Sequence, residues 1–144
     1  MNAKKKILFL CTHNAARSQM AEGFINARYS DHYEAYSAGS EPNEVHPCVI
    51  EVMAEAGIDI ASQRAKPLDE YLDASFEYVV TMCAAAQERC PIFPGAIFPG
   101  GTEYIHHAFD DPLLDAGPEG APCTSFRRVR EEVRKWIDVT FGSP

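Results

Sequence analysis

Ile7-Leu8-Phe9-Leu10-Cys11-Thr12-His13-Asn14-Ala15-Ala16-Arg17-Ser18 decides the fold. Its first four residues are a continuous apolar run, too short for a helix and typical of a strand buried on both faces in a parallel sheet. Behind the run, Met20, Ala21, Phe24, Ile25 and Arg28 recur at helical spacing over residues 18–29. The unit therefore reads as strand, tight loop, helix. Cys11 stands at the carboxyl end of the strand, where open α/β sheets bind their ligands.

Working outward, the pattern predicts a strand at residues 34–38, stopped by Gly39, and a helix at residues 47–56 that opens on Pro47 and stops before Gly57. A further strand over residues 76–82 has Tyr78, Val79 and Val80 as its apolar heart and runs into Cys83. A last helix, residues 125–141, carries Phe126, Val129, Val133, Trp136, Ile137 and Phe141 on one stripe, with its Arg and Glu residues on a solvated face. Residues 91–101 hold Pro91, Pro94, Gly95, Pro99, Gly100 and Gly101 and are expected to be a loop. His106-His107 falls in a short strand, where neighbouring side chains point opposite ways. Alternating strands and helices predict an α/β fold with a mostly parallel sheet.

With 144 residues, 46% of them hydrophobic, and no internal linker, the chain is expected to form a single domain over residues 1–144. The net charge of -8 and scattered basic residues argue against nucleic acid as a partner. The charged start and short apolar run suit neither a signal peptide nor a membrane span, so a cytoplasmic protein with no membrane partner is expected. In that reducing compartment the five cysteines are read as chemical, metal-binding or buried, and not as a disulfide framework.

From Cys11 to Arg17 the spacing is C-x5-R. A loop of this length at a strand-to-helix turn can aim its backbone N–H groups at one point beside the positive end of the helix. Thr12, His13, Asn14, Ala15, Ala16, Arg17 and Ser18 would then line an oxyanion site, with the Arg17 fork on two of the anion's oxygens. The donors that hold an oxyanion also hold a thiolate, which makes Cys11 the candidate nucleophile. Ser18 can donate to its sulfur, and Asn14 can brace the loop from within.

Two more thiols, Cys83 and Cys90, bracket a stretch of helical propensity. Seven positions apart on a helix, they would be separated by about 10 Å of rise, beyond disulfide reach, so a bond between them requires that stretch to unwind. Each can also be read as a small buried hydrophobe. No C-x-x-C or histidine at ligand spacing supports zinc, and no metal site is expected. Cys48 and Cys123 show no partner in the spacing and are read as structural or incidental. Displacing an oxygen from a tetrahedral oxyanion needs an acid. Asp111, ahead of Pro112, is the candidate, and Asp110 is read as a turn residue.

Several blocks together resemble the thioredoxin-coupled arsenate reductases built on the low-molecular-weight protein tyrosine phosphatase fold. They are Cys-Thr-x-Asn-x-x-Arg-Ser-Gln-Met-Ala-Glu-Gly at 11–23, Tyr-Ser-Ala-Gly at 36–39, Val-Val-Thr-Met-Cys at 79–83, Cys-Pro-Ile at 90–92, Phe-Asp-Asp-Pro at 109–112 and Phe-Arg-Arg-Val-Arg at 126–130. The resemblance implies a central four-stranded sheet flanked by helices, with the anion loop after strand one. It also implies a relay in which Cys11 attacks arsenate, Asp111 protonates the leaving oxygen, Cys83 attacks Cys11 as arsenite departs, and Cys90 attacks Cys83. Thioredoxin would reduce the resulting Cys83–Cys90 bond. Arsenate would be the substrate, phosphate and sulfate its competitors, and a monomer with no tightly bound cofactor is expected.

The phosphatases share the first block, but they usually place tyrosines after the Asp-Pro, and here Leu113-Leu114 follows. A reductase fed by a small thiol would not need both Cys83 and Cys90, and a non-catalytic oxyanion sensor would need neither nucleophile nor acid. Three departures from the family pattern stand out. Ala16 occupies a position where some relatives have a cysteine. His13 replaces a usual glycine, which would strain the loop if its backbone were left-handed. Some relatives hold potassium through an asparagine, a glutamate, a serine and an aspartate. Asn14, Glu22 and Ser37 match the first three, but Lys66 stands at the fourth. Its ammonium is expected to replace the ion, pairing with Glu22 and bracing Asn14.

Overall fold

The computed structural model describes residues 4–83, 96–97, 101–110, 112 and 123–142. Cys90, Asp111, Leu113 and Leu114 lie outside the described residues, as do most of residues 91–101.

The opening run forms β1, Lys5–Cys11, whose residues Ile7, Leu8, Phe9 and Leu10 are fully buried, as a strand covered on both faces requires. The loop leads into α1, Arg17–Arg28, and the chain returns as β2, Tyr33–Gly39, parallel to β1. Next come α2, Pro47–Glu55, and a single 3-10 turn at Leu68–Tyr71. The predicted strand at 76–82 is two strands. Ser75–Phe76, β3, pairs with β5, Ala96–Ile97, whereas β4, Tyr78–Thr81, joins the main sheet. Glu77 separates them, its backbone N–H bonded to Lys6 O at 3.1 Å. The loop predicted over 91–101 thus contains a two-residue strand, which forms a separate two-stranded parallel sheet with β3. Glu103–His106 forms β6, and Thr124–Phe141 forms α3.

The main sheet has four strands in the order β2-β1-β4-β6, all parallel. From β1 the chain goes first to one side, at β2, and later to the other, at β4. The carboxyl end of β1 is therefore the switch point of the sheet, and the Cys11 loop occupies that crevice.

Alternation along β1 divides the core. Ile7 and Phe9 face α1, α2 and α3 with Met20, Phe24, Val52, Met53, Val129, Val133 and Ile137. Leu8 and Leu10 face the opposite way with Ala38, Phe76 and Val79, and Tyr36, Leu68 and Tyr71 close that side. Among the described residues all three α-helices cover one face, and the 3-10 turn with Phe76 of β3 covers the other. The α3 stripe is as predicted, with Trp136 at its margin, half-buried. Arg28, by contrast, is exposed.

The expected absence of a disulfide framework is corrected. A disulfide joins Cys48, in the first turn of α2, to Cys123, which caps α3, with their Cα atoms 5.3 Å apart. The two residues are 75 positions apart. Spacing carries no trace of such a pair, because only the packing of α2 on α3 brings the two helix starts together.

Candidate active site at the carboxyl end of the first strand

The loop from Cys11 to Ser18 is shaped from outside by the segment after β2. Glu41 N donates to Thr12 O at 2.9 Å, Asn43 N to His13 O at 2.9 Å and His46 N to Ala15 O at 3.1 Å. A trans peptide points its N–H opposite to its C=O. Three carbonyls held outward therefore turn the N–H groups of His13, Asn14 and Ala16 toward the inside of the loop. Ala16 caps α1 without a side-chain hydrogen bond, so the helix presents its N-terminal N–H groups beside them. Gly39, at the end of β2, makes this wrapping possible. A Cβ there would lie 2.6 Å from Thr12 O, 2.8 Å from Cys11 O and 2.9 Å from Asn14 N, and no side chain fits against that backbone.

The left-handed residue of the loop is Asn14, with φ 51, and not His13. The condition for strain at His13 is therefore not met, and the left-handed position falls on a residue type that tolerates it well. His13 is half-buried, and its Nδ1 lies 3.0 Å from Glu41 O.

Asn14 organises the interior. Its Oδ1 accepts from the backbone N–H of Lys66 at 2.9 Å and from Gln19 Nε2 at 2.9 Å. A backbone N–H can only donate, so the amide orientation is determined, and Nδ2 donates to Ser18 Oγ at 2.7 Å. With that lone pair in use, the Ser18 hydroxyl is free to donate to Cys11 Sγ, 2.8 Å away. The chain of donors ends on the sulfur, which is the arrangement a thiolate needs. Cys11 is 2% exposed and Ser18 is fully buried.

Arg17, buried, sends Nη1 to Met82 O at 3.3 Å and to Phe109 O at 3.2 Å. It thereby ties α1 to the ends of β4 and β6. Cys83 follows Met82 as a buried free thiol, and Thr12 Oγ1 lies 3.9 Å from its sulfur. The structure thus brings Cys11, Thr12, Asn14, Arg17, Ser18 and Cys83 to one place. Cys90 and Asp111 fall outside the described residues. Their neighbours are anchored, since Phe109 N bonds Met82 O at 3.3 Å and Ser125 Oγ bonds Pro112 O at 3.2 Å. Asp110 is exposed and pairs with Arg128 at 3.2 Å.

Behind the loop, Lys66 Nζ lies 3.5 Å from Glu22 Oε1, 3.5 Å from Ser37 Oγ and 2.9 Å from Arg64 O. The side chains of Lys66 and Glu22 are 8% and 13% exposed. Burial pushes the Glu22 carboxyl above its ordinary value, and the Lys66 charge and Ser37 hydrogen bond pull back against it. Bracing of Asn14 by Lys66 runs through the Lys66 backbone N–H and not its ammonium. A metal cation placed among Glu22 and Ser37 would meet that ammonium, so the residues do not fit a potassium site. Sequence reasoning gave no role to Gln19 and Gln63. Gln19 Nε2 also bonds Asn14 O and Arg64 O at 2.9 Å, and Gln63 Nε2 bonds Gln19 Oε1 at 2.8 Å. The one signal was Gln19 itself, a glutamine on an otherwise buried turn of α1, and Gln63 carried none.

Residues 6–138 match the family of low molecular weight phosphotyrosine protein phosphatases. An arsenate reductase of Halalkalibacterium halodurans is 41% identical over 134 residues, covering 93% of each chain. A solved arsenate reductase in its phosphate-binding state superposes with a TM-score of 0.74 at 29% identity, over 94% of this chain and 95% of its own. The thioredoxin-dependent arsenate reductase of Corynebacterium glutamicum gives a TM-score of 0.70 at 30% identity, over 99% of this chain and 62% of its own.

Proposed function

The chain belongs to the low molecular weight phosphotyrosine protein phosphatase family, and on that premise we propose that it is an arsenate reductase whose electrons pass through Cys11, Cys83 and Cys90 to thioredoxin. The observation that carries this reading is the donor chain from Asn14 through Ser18 to Cys11 Sγ, with a second free thiol, Cys83, against the same loop.

Arsenate binds on the loop N–H groups of residues 12–18 and the Arg17 guanidinium, with phosphate or sulfate as competitors. Cys11 thiolate attacks arsenic, and Asp111 protonates the oxygen that leaves, giving a thiol-arsenate adduct. Cys83 thiolate then attacks Cys11 Sγ. The S–S bond forms as the S–As bond breaks, its electron pair stays on arsenic, and As(V) leaves as arsenite. Cys90 attacks Cys83 and frees Cys11, with the Ser18 hydroxyl easing the departing thiolate. A thioredoxin dithiol returns two electrons to the Cys83–Cys90 bond. Lys66 supplies the buried positive charge behind the loop, and the enzyme works without potassium.

NADPH consumption with thioredoxin and thioredoxin reductase on addition of arsenate tests the reading. Wild type turns over, and Cys11→Ser, Cys83→Ser and Cys90→Ser each stop it. Normal turnover by Cys83→Ser or Cys90→Ser, or brisk aryl phosphate hydrolysis with no response to arsenate, would make the protein a phosphatase or a user of another reductant.

A further inference from the structure

Outside the catalytic loop, Cys48, Cys123 and Glu51 bring their ligand atoms within 4.8 Å of one another. We propose that, once the Cys48–Cys123 bond is opened, these three residues form a second arsenic site that takes the trivalent product. This rests on the arsenate-reductase reading for the source of the ligand.

The geometry keeps the pair together with or without the disulfide. Arg127 grips Glu55 at 2.8 Å, and Arg130 bonds both Glu55 and Val52 O at 2.9 Å, so α2 and α3 stay docked when the sulfurs separate. Both sulfurs sit at helix starts, Cys48 just after Pro47 in α2 and Cys123 immediately before Thr124 in α3, where thiolates are favoured. Glu51 Oε2 lies 3.1 Å from Cys123 Sγ and accepts its proton when the thiol is free. Cys48 is half-buried and Glu51 exposed, so the trio opens to solvent on one side, while Cys123 closes the other.

The donor set selects the ligand. Two thiolates favour a soft, thiophilic centre. The nearest imidazole along the chain, His46, already accepts the Cys48 N–H at its Nδ1, 3.1 Å away, leaving two sulfurs and one carboxylate oxygen. A structural zinc site wants four protein ligands. Pyramidal trivalent arsenic wants three.

Opening consumes one dithiol of the class that recycles the relay. Its two thiols become a disulfide as Cys48 and Cys123 each gain a proton and, between them, two electrons. Binding is then a condensation without redox change. Arsenous acid exchanges its three hydroxyls for the two sulfurs and a Glu51 carboxylate oxygen: two As–S bonds and one As–O bond form, and three waters leave with the two thiol protons and one proton from solvent. Product bound there also keeps the two sulfurs from closing again.

Two measurements test the site. Wild type reduced with a phosphine, desalted and mixed with arsenite is alkylated, and its peptides are mapped. Arsenite protects Cys48 and Cys123 together. Separately, reduced Cys11→Ser/Cys83→Ser/Cys90→Ser protein gives a one-to-one arsenite adduct in native mass spectrometry, which adding Cys48→Ser and Cys123→Ser abolishes and Glu51→Gln weakens about tenfold. Equal alkylation with and without arsenite, or protection by zinc and not by arsenite, overturns the proposal. Cys48→Ser/Cys123→Ser still turns over arsenate, so loss of arsenate turnover in wild type with arsenite protection intact would fault the reductase reading and leave the site standing.

Discussion

Lys66→Ala strikes the loop from behind without touching a reacting atom. The substitution leaves the Glu22 carboxylate, 13% exposed, with Ser37 as its remaining side-chain partner. Removing one member of a buried ion pair costs roughly 3–5 kcal/mol. The 3.5 Å separation is long, and Glu22 can take up a proton, so the lower end, about 3 kcal/mol, is expected here. In a domain of this size that is a fall in Tm of roughly 6–12 °C. The pH dependence follows from Glu22, whose carboxyl is already raised by burial. A raised carboxyl binds more protons folded than unfolded, so its stability contribution is full below the unfolded value and falls as pH rises through the folded one. Without the Lys66 charge the folded value moves higher still. The Tm difference between variant and wild type should therefore be small near pH 4 and widen toward neutrality, and Glu22→Gln in the Lys66→Ala background should narrow it. Melting curves from acid to neutral pH decide the matter. A gap independent of pH, or a wild-type reductase rate several-fold higher in potassium than in sodium, would refute the ammonium's role as built-in cation.

Gly39→Ala forces a Cβ against three backbone atoms of the loop. It should lower kcat about 100-fold through misplacement of the thiolate, with circular dichroism unchanged. Ser18→Ala removes the donor to Cys11 Sγ and strands Asn14 Nδ2. Expected results are slower iodoacetamide labelling of Cys11 at neutral pH and a loss of about 1–3 kcal/mol in urea unfolding; unchanged labelling would deny Ser18 its role. Opening the Cys48–Cys123 bond, which spans 75 positions, should cost about 4 kcal/mol by loop entropy. Cys48→Ser/Cys123→Ser measured against oxidised wild type reads this directly, and equal melting temperatures would show that the bond does not restrain the unfolded chain.

Much of the fold was legible because it is written in short-range patterns. A four-residue apolar run is too short for a helix and reads as a doubly covered strand, and the helical stripes of α1 and α3 follow from their period. The division of residues 75–81 into β3 and β4 was not legible. Phe76 and the Tyr78–Val80 run look alike in hydrophobicity, and only their partners, β5 for one and β1 with β6 for the other, tell them apart. The left-handed residue of the loop was not located either, since strain at His13 was expected only if its own backbone were left-handed. A side chain in place of a glycine at 13 raised that condition, whereas the Asn14 side chain, held by Ser18, Gln19 and the Lys66 backbone N–H, sets where the loop turns.

By itself the sequence determined what neighbours along the chain can build: a strand, a C-x5-R loop and a helix, and hence an anion site with a cysteine in it. That unit spans 24 residues, from Lys5 to Arg28, and its geometry follows from local backbone preferences. The tertiary structure alone decided what reaches the loop from elsewhere. Gly39 and the carbonyl-binding segment behind it, the Lys66 backbone N–H on Asn14, Cys83 beside Thr12, and the union of Cys48 with Cys123 all arise from packing between distant segments. Such contacts depend on the relative placement of whole elements, which the burial of a shared core settles and no spacing between residues records.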